Sequence, residues 1–239
     1  MSKSTVAPPS GQNIEDPIPF EIAVPDTSIA IRGIRWPGDA TPVVLVHDTR
    51  GDLDLDSWGR LPELLSQNAY TVLAMDLPGC GLSEGTSTTA VSQRAVQAVL
   101  KMAHENTAQT PALIVAGDAL HLLDGLDLRR NPIRALVVLS PPLNSPNLGS
   151  VPKLAFVGAH DDTAMTAADT FLQTSRGWTL VSSFGTDRQG HSLLQTSHAA
   201  KIMEQMLAFL RDYRVVAPED GAQAGAEEPR PEHAKSSPP

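Results

Sequence analysis

Residues 71–83 read TVLAM-DLPGCGLS, a short apolar run that ends at Asp76 and breaks into the turn Leu77-Pro78-Gly79-Cys80-Gly81-Leu82-Ser83. Five nearly apolar residues bounded by a proline and two glycines read as a strand covered on both faces. Upstream, VVLV at 43–46 ends in His47 and passes into the polar loop DTRGDLDLDSW, with a helical stretch expected over 57–67. A strand, a helix and a second strand in that order form a crossover unit, in which the two strands lie parallel in one sheet.

The same grammar extends in both directions. Residues 18–24 and 29–36 read as an opening pair of strands, turning near Pro25-Asp26. Further buried-type runs stand at 112–115, 135–139, 154–157 and 179–182. Helical patterns are expected at 90–105, briefly from Ala119, at 165–175 and at 193–213, the last with Ile202, Met206, Phe209 and Leu210 on one face. This alternation predicts a three-layer α/β/α sandwich around a mostly parallel, doubly wound sheet of about eight strands. Ligand sites in such sheets form at the carboxyl ends of the strands, which is where chemistry is to be sought.

An apolar strand ending in His47, followed about 30 residues later by D-x-P-G-x-G-x-S at 76–83, resembles the α/β-hydrolase superfamily. The resemblance spans about residues 17–213 and implies that fold, with a nucleophile, an acid and a base in that chain order. It also implies that the loop after His47 supplies one N–H of an oxyanion hole, usually from a His-Gly pair. Here Asp48 follows His47, and a carboxylate there opposes a developing oxyanion. His47 itself reads as a structural residue bonded to its loop.

The nucleophile elbow, G-x-S-x-G, should follow the run at 112–115. The sequence is Ala116-Gly117-Asp118-Ala119-Leu120-His121, with neither serine nor cysteine. One register places Asp118 at the nucleophile, and a shift by one places Ala119 there; neither keeps both small flanks. The Gly158-Ala159-His160-Asp161 loop resembles the family's acid position, with Asp161 as the match and Asp162 as an alternative. Gly190-His191, just ahead of the final helix, resembles the position of the general base. The expected site is therefore Asp118, Asp161 and His191, with His47, Asp48 and Ala119 around the oxyanion loop.

Two functions from different classes fit. In the first, the chain has lost its nucleophile and is an inactive or very weak hydrolase that acts as a binding protein. In the second, Asp118 attacks, Asp161 orients His191, and His191 activates water to hydrolyse an ester or related bond, as in relatives with an aspartate nucleophile. Those relatives carry a helical cap, whereas 140–151 (SPPLNSPNLGSV) is too short for one. A capless, open cleft suits a small-molecule or extended ligand and leaves room for a protein partner. A serine nucleophile elsewhere, at Ser140 or Ser192, lacks a strand-to-helix turn. A metal site of Asp118, His121, Asp161 and His191 has no supporting motif, so neither metal nor cofactor is expected.

Composition bounds these readings. Of 239 residues, 41% are apolar, enough for a single globular core, and a net charge of −9 argues against nucleic acid, whose phosphates need neutralising. The lone cysteine, Cys80, excludes an internal disulfide and suits a reducing, cytoplasmic setting. No membrane span or leader is expected. The domain is placed at 17–213. The tails, 1–16 and the acidic, proline-rich 214–239, bury too little apolar surface to fold and are expected to stay disordered.

Overall fold

The computed structural model describes residues 16–128 and 130–213. Of the expected tails, 1–16 and 214–239, all but Asp16 lies outside the described residues. Eight strands form one sheet: β1 (Ile18–Ala23), β2 (Ala30–Trp36), β3 (Ala40–Val46), β4 (Tyr70–Met75), β5 (Ala112–Ala116), β6 (Leu136–Leu139), β7 (Lys153–Gly158) and β8 (Thr179–Phe184). Their spatial order is β1-β2-β4-β3-β5-β6-β7-β8. β1 pairs with β2, and β2 with β4, in antiparallel fashion; β4, β3 and β5 to β8 are parallel throughout. Every apolar run of the sequence is one of these strands.

Among the described residues, four α-helices cover the sheet: α1 (Leu61–Gln67), α2 (Thr89–Thr107), α3 (Asp162–Thr174) and α4 (Ala199–Asp212). The strands divide their side chains by the two-residue period of the pleat. Val44 and Val46 of β3, Leu113 and Val115 of β5 and Ala155 of β7 join a core with Val96, Val99 and Phe171 from α2 and α3. Val43, Leu45, Ile114 and Phe156 point the other way, toward Leu61 and Leu65 of α1 and Ile202, Met206 and Phe209 of α4. Two buried faces explain why the central strands are apolar at every position rather than at alternate ones. Burial alternates instead along β1 and the first half of β2, at one side of the sheet, and β8, at the other edge, is mostly partly exposed.

Two helical expectations change. The stretch 193–213 is not one helix: a 3-10 segment, Gly190–Gln195, precedes α4. The break falls at Thr196, whose hydroxyl donates to the Leu193 carbonyl (2.8 Å) and accepts from the His198 N–H (3.2 Å). These local bonds replace the helical ladder. Likewise 57–67 divides at Gly59, in a left-handed conformation, into a 3-10 segment Leu55–Trp58 and α1. The connection from β6 to β7, residues 140–152, contains only turns, so the carboxyl ends of the strands have no helical cap from this connection.

Candidate functional site

The carboxyl ends of β3, β4 and β5 are tied together by backbone-directed side chains. His47, directly after β3, is fully buried. Its Nε2 accepts the Leu77 N–H at 3.0 Å, so Nδ1 carries the proton and donates to the Asp48 carbonyl at 2.8 Å. With both ring nitrogens engaged by backbone and burial lowering its pKa, His47 is held neutral and joins the two loops. Asp76, after β4, accepts the Leu55 N–H through Oδ1 (2.9 Å) and the Leu82 N–H through Oδ2 (2.8 Å). Gly81 is required beside it, since a Cβ there would overlap the Asp76 carboxylate and the backbone is left-handed (φ 49°). The D-x-P-G-x-G string is thus a scaffold that braces the loop after β3 against the end of β4.

The sharp turn after β5 falls on Gly117 (φ 54°), directly after the last strand residue, Ala116. This is one residue earlier than Asp118 and two earlier than Ala119, the registers expected from sequence. The physical reason is conformational: a left-handed backbone after a strand is cheapest at glycine, whereas Asp118 and Ala119 lie inside the 3-10 segment Gly117–Leu123. Ala119 is buried in the core, and Asp118 sends its carboxylate outward, 3.4 Å from Arg50 Nε.

What fills the space above Gly117 is Asp48. A Cβ on residue 117 would overlap Asp48 Oδ2. Only 5% exposed, this carboxylate accepts four donors: the Arg50 backbone N–H (3.2 Å), Arg50 Nε (3.1 Å), Arg50 Nη2 (2.9 Å) and the Asp118 N–H (3.1 Å to Oδ1). An anion so placed is well compensated, with a guanidinium and two main-chain donors replacing water. The exchange is reciprocal: the loop position where the resemblance implies glycine carries a carboxylate, and the turn position carries no side chain.

His191 lies in the 3-10 segment after β8, 5% exposed, its ring edge-on to Trp58 at 4.3 Å and 72°. Among the described residues, neither Nδ1 nor Nε2 has a hydrogen-bond partner. Burial lowers its pKa to about 4, aided by His47 and opposed by the Asp48 charge. Asp161, the expected acid, caps α3 instead: its Oδ1 accepts the N–H groups of Thr163 (3.0 Å) and Ala164 (3.1 Å). The structure therefore brings His191, Asp48 and His47 into one electrostatic cluster, and does not join Asp161 or the Asp118 carboxylate to His191. The alternative serines are occupied as well. Ser140 Oγ donates to Gln189 Oε1 and accepts the Gly190 N–H, both at 2.7 Å, while Ser192 Oγ donates to the Gln189 carbonyl at 2.6 Å. Among the described residues, no three His, Cys, Asp or Glu side chains converge to hold a metal.

Sequence reasoning missed Arg50, Gly117 and the Ser140–Gln189 bracket that positions the His191 loop. Gly117 carried a usable signal, a glycine immediately after a buried strand; the other two depend on contacts across the fold.

The neutral, buried His191 makes stability fall in acid. Its folded pKa lies below the ordinary value of 6.5, so the unfolded chain binds the proton more tightly. The stabilisation is complete above about pH 6.5 and is lost as pH falls toward 4, by roughly 3 kcal/mol. Urea unfolding at pH 7 and pH 4.5 is expected to show this loss, and His191→Phe is expected to shrink it. Part of the loss should persist in the variant, because His47 is also held neutral. An unchanged pH dependence in His191→Phe would contradict the buried placement of the ring.

Comparison with known proteins agrees with this architecture. Residues 41–234 match the family profile described as the alpha/beta hydrolase fold. No curated protein sequence matches. Among solved structures, an esterase from Pyrococcus furiosus superposes with a TM-score of 0.66 at 17% identity, covering 89% of this chain and 99% of its own. An alpha/beta hydrolase from a Penicillium species gives 0.68 at 12% identity, with 83% and 99% coverage. A loop variant of a haloalkane dehalogenase from Bradyrhizobium elkanii gives 0.62 at 14% identity, with 83% and 97% coverage. These likenesses concern the fold, and together with the profile match over most of the chain they place this protein in the α/β-hydrolase fold family.

Proposed function

We propose that this chain is a catalytically silent, or very weakly active, α/β-hydrolase-fold protein that acts by binding rather than by turnover. One observation carries the reading: the Asp48 carboxylate takes the Asp118 N–H, the first amide after the Gly117 turn. In the family's mechanism the amide after the nucleophile stabilises the oxyanion. A fixed negative charge on that amide raises the energy of the tetrahedral intermediate instead of lowering it. Gly117, taken as the nucleophile position, offers no attacking atom. The Asp118–Asp161–His191 alternative requires Asp118 to turn away from Arg50, and among the described residues neither Asp118 nor Asp161 bonds the imidazole of His191.

The ligand class that suits such a protein is a small or extended molecule at the uncapped strand ends, and a protein partner fits the same open face. A single cysteine suits a reducing, cytoplasmic setting, and no helix among the described residues is long and apolar enough to cross a membrane.

The test is a fluorophosphonate probe, which reports any activated serine. The full chain is expected to remain unlabelled at pH 7 under conditions that label a working esterase to completion. Stoichiometric labelling of any serine, mapped by mass spectrometry, would overturn the proposal.

A further inference from the structure

β8 (Thr179–Phe184) closes one side of the sheet, and among the described residues no strand lies beyond it. The Lys153 N–H donates to the Trp178 carbonyl (2.9 Å) and the Ala159 N–H to the Phe184 carbonyl (2.7 Å), so the even-numbered residues turn their backbone groups toward β7. By the two-residue alternation of a strand, the N–H and C=O groups of Thr179, Val181 and Ser183 face outward. An open edge of this kind is a template for another strand, and folded chains blunt it with proline or charge. β1, at the opposite edge, carries both, in Pro19 and Glu21. β8, Thr-Leu-Val-Ser-Ser-Phe, carries neither.

Apolar surface gathers along the same edge, where Trp178 is 51% exposed and Leu180 48%. Trp178 stacks on Phe209 of α4 at 5.7 Å and 15°, and Ser182 Oγ donates to Gln205 Oε1 at 2.8 Å. Trp178, Leu180 and Ser182 therefore share the face that α4 covers. The two contacts also fix how α4 lies: it runs opposite to β8, with Gln205 beside Ser182 and Phe209 beside Trp178. Residues three and four apart share a helix flank, which puts Lys201, Ala208 and Asp212 on the flank of Gln205. Ala208 keeps the middle of this flank low. Lys201 and Asp212, at its two ends, are exposed, and among the described residues neither takes part in an ion pair.

We propose that β8 is the interface of a two-fold dimer, in which a second copy of this chain lays its own β8 antiparallel to this one. A two-fold axis at Val181, perpendicular to the sheet, lets Val181 exchange both backbone hydrogen bonds with Val181 of the partner subunit, and Thr179 with Ser183 of the partner subunit. Trp178 and Leu180 of both copies then lie on one face, where they cover each other. The same axis sets the two α4 helices side by side and antiparallel, turning Lys201 toward Asp212 of the partner subunit. The edge is thus self-complementary in hydrogen bonds, apolar surface and charge, which favours a second copy over an unrelated strand. β8 itself bears no charge, so the two strands meet without repulsion although the chain carries a net −9. The carboxyl ends of the strands stay uncovered, so the dimer is independent of whether the turn above β5 has any hydrolytic activity.

Sedimentation equilibrium of the full chain over a range of micromolar concentrations tests this. A mass near twice 25.4 kDa is expected at the upper end of the range. Leu180→Lys, at an exposed position, sets two ammonium groups near the axis and should weaken association roughly tenfold or more, with an unchanged melting temperature. Lys201→Glu and Asp212→Lys should each weaken it about fivefold, and the two together should restore it by pairing the charges in the reverse sense. The proposal is overturned if the full chain is monomeric throughout, if Leu180→Lys leaves a dimer unchanged, or if the double charge swap associates more weakly than either single one. In a monomeric chain, protection of Leu180→Cys (with Cys80→Ser) from maleimide would assign the edge to residues 214–239 of the same chain instead.

Discussion

Gly117→Ser is expected to destabilise the protein by about 3 kcal/mol on its own and by much less when combined with Asp48→Gly. The added Cβ would overlap Asp48 Oδ2 and come within 2.8 Å of Arg50 Nη2. Arg50 is exposed and can swing away; Asp48 is buried and held by four donors, so it cannot yield cheaply. Asp48→Gly removes the obstacle but frees the Asp118 N–H and loses the Arg50 pairing, a cost of its own. The two changes should therefore be strongly non-additive, with a coupling near 2 kcal/mol in a double-mutant cycle measured by urea unfolding. Additivity would mean that the carboxylate does not stand over the turn.

The double variant also has a catalytic expectation. With Asp48 gone, the Asp118 N–H is free to donate to an oxyanion, and a serine at 117 lies on the side of the turn where Asp48 Oδ2 now stands. That oxygen lies 3.8 Å from where a Cβ on Gly190 would sit, so the new hydroxyl is directed toward the loop that carries His191. Weak hydrolysis of p-nitrophenyl acetate is expected, and it should vanish when His191→Ala is added. The rate should stay far below that of a working esterase, because Asp161 is engaged by α3 and does not orient the imidazole. A folded double variant with no His191-dependent rate would separate Gly117 from the role assigned to it.

Asp76→Ala is expected to cost about 3 kcal/mol, the second large effect. It strands the N–H groups of Leu55 and Leu82, which lie in different loops, and opens a void beside Gly81. Asp76→Asn keeps one acceptor oxygen and should cost roughly half as much. Equilibrium urea unfolding at pH 7 measures both. A loss under about 0.5 kcal/mol for the alanine variant would show that the two loops hold without their shared carboxylate.

Val43 to Val46, Leu113 to Val115 and Leu136 to Leu139 are apolar without alternation, and that pattern alone requires two covered faces and hence a parallel, doubly wound sheet. The D-x-P-G-x-G turn and the helix face of Ile202, Met206, Phe209 and Leu210 were equally legible, because turn chemistry and burial period are properties of neighbouring residues. The place of the turn after β5 was legible only in part. Small residues run from Ala116 to Ala119, and only the sign of φ distinguishes Gly117 among them.

The chemistry of the site was decided by tertiary structure. Asp48 and the Asp118 N–H are 70 positions apart, and nothing local says that one will accept from the other. Asp161 can orient a histidine or cap a helix with the same atoms; the N–H groups of Thr163 and Ala164 are nearer, and they take it. His191 lies between β8 and α4, yet its two unpartnered nitrogens and its contact with Trp58 come from packing against a segment distant in the chain. Burial pattern and backbone preference are local and can be read from residue order; the direction of a carboxylate depends on which donors the completed fold brings within 3 Å.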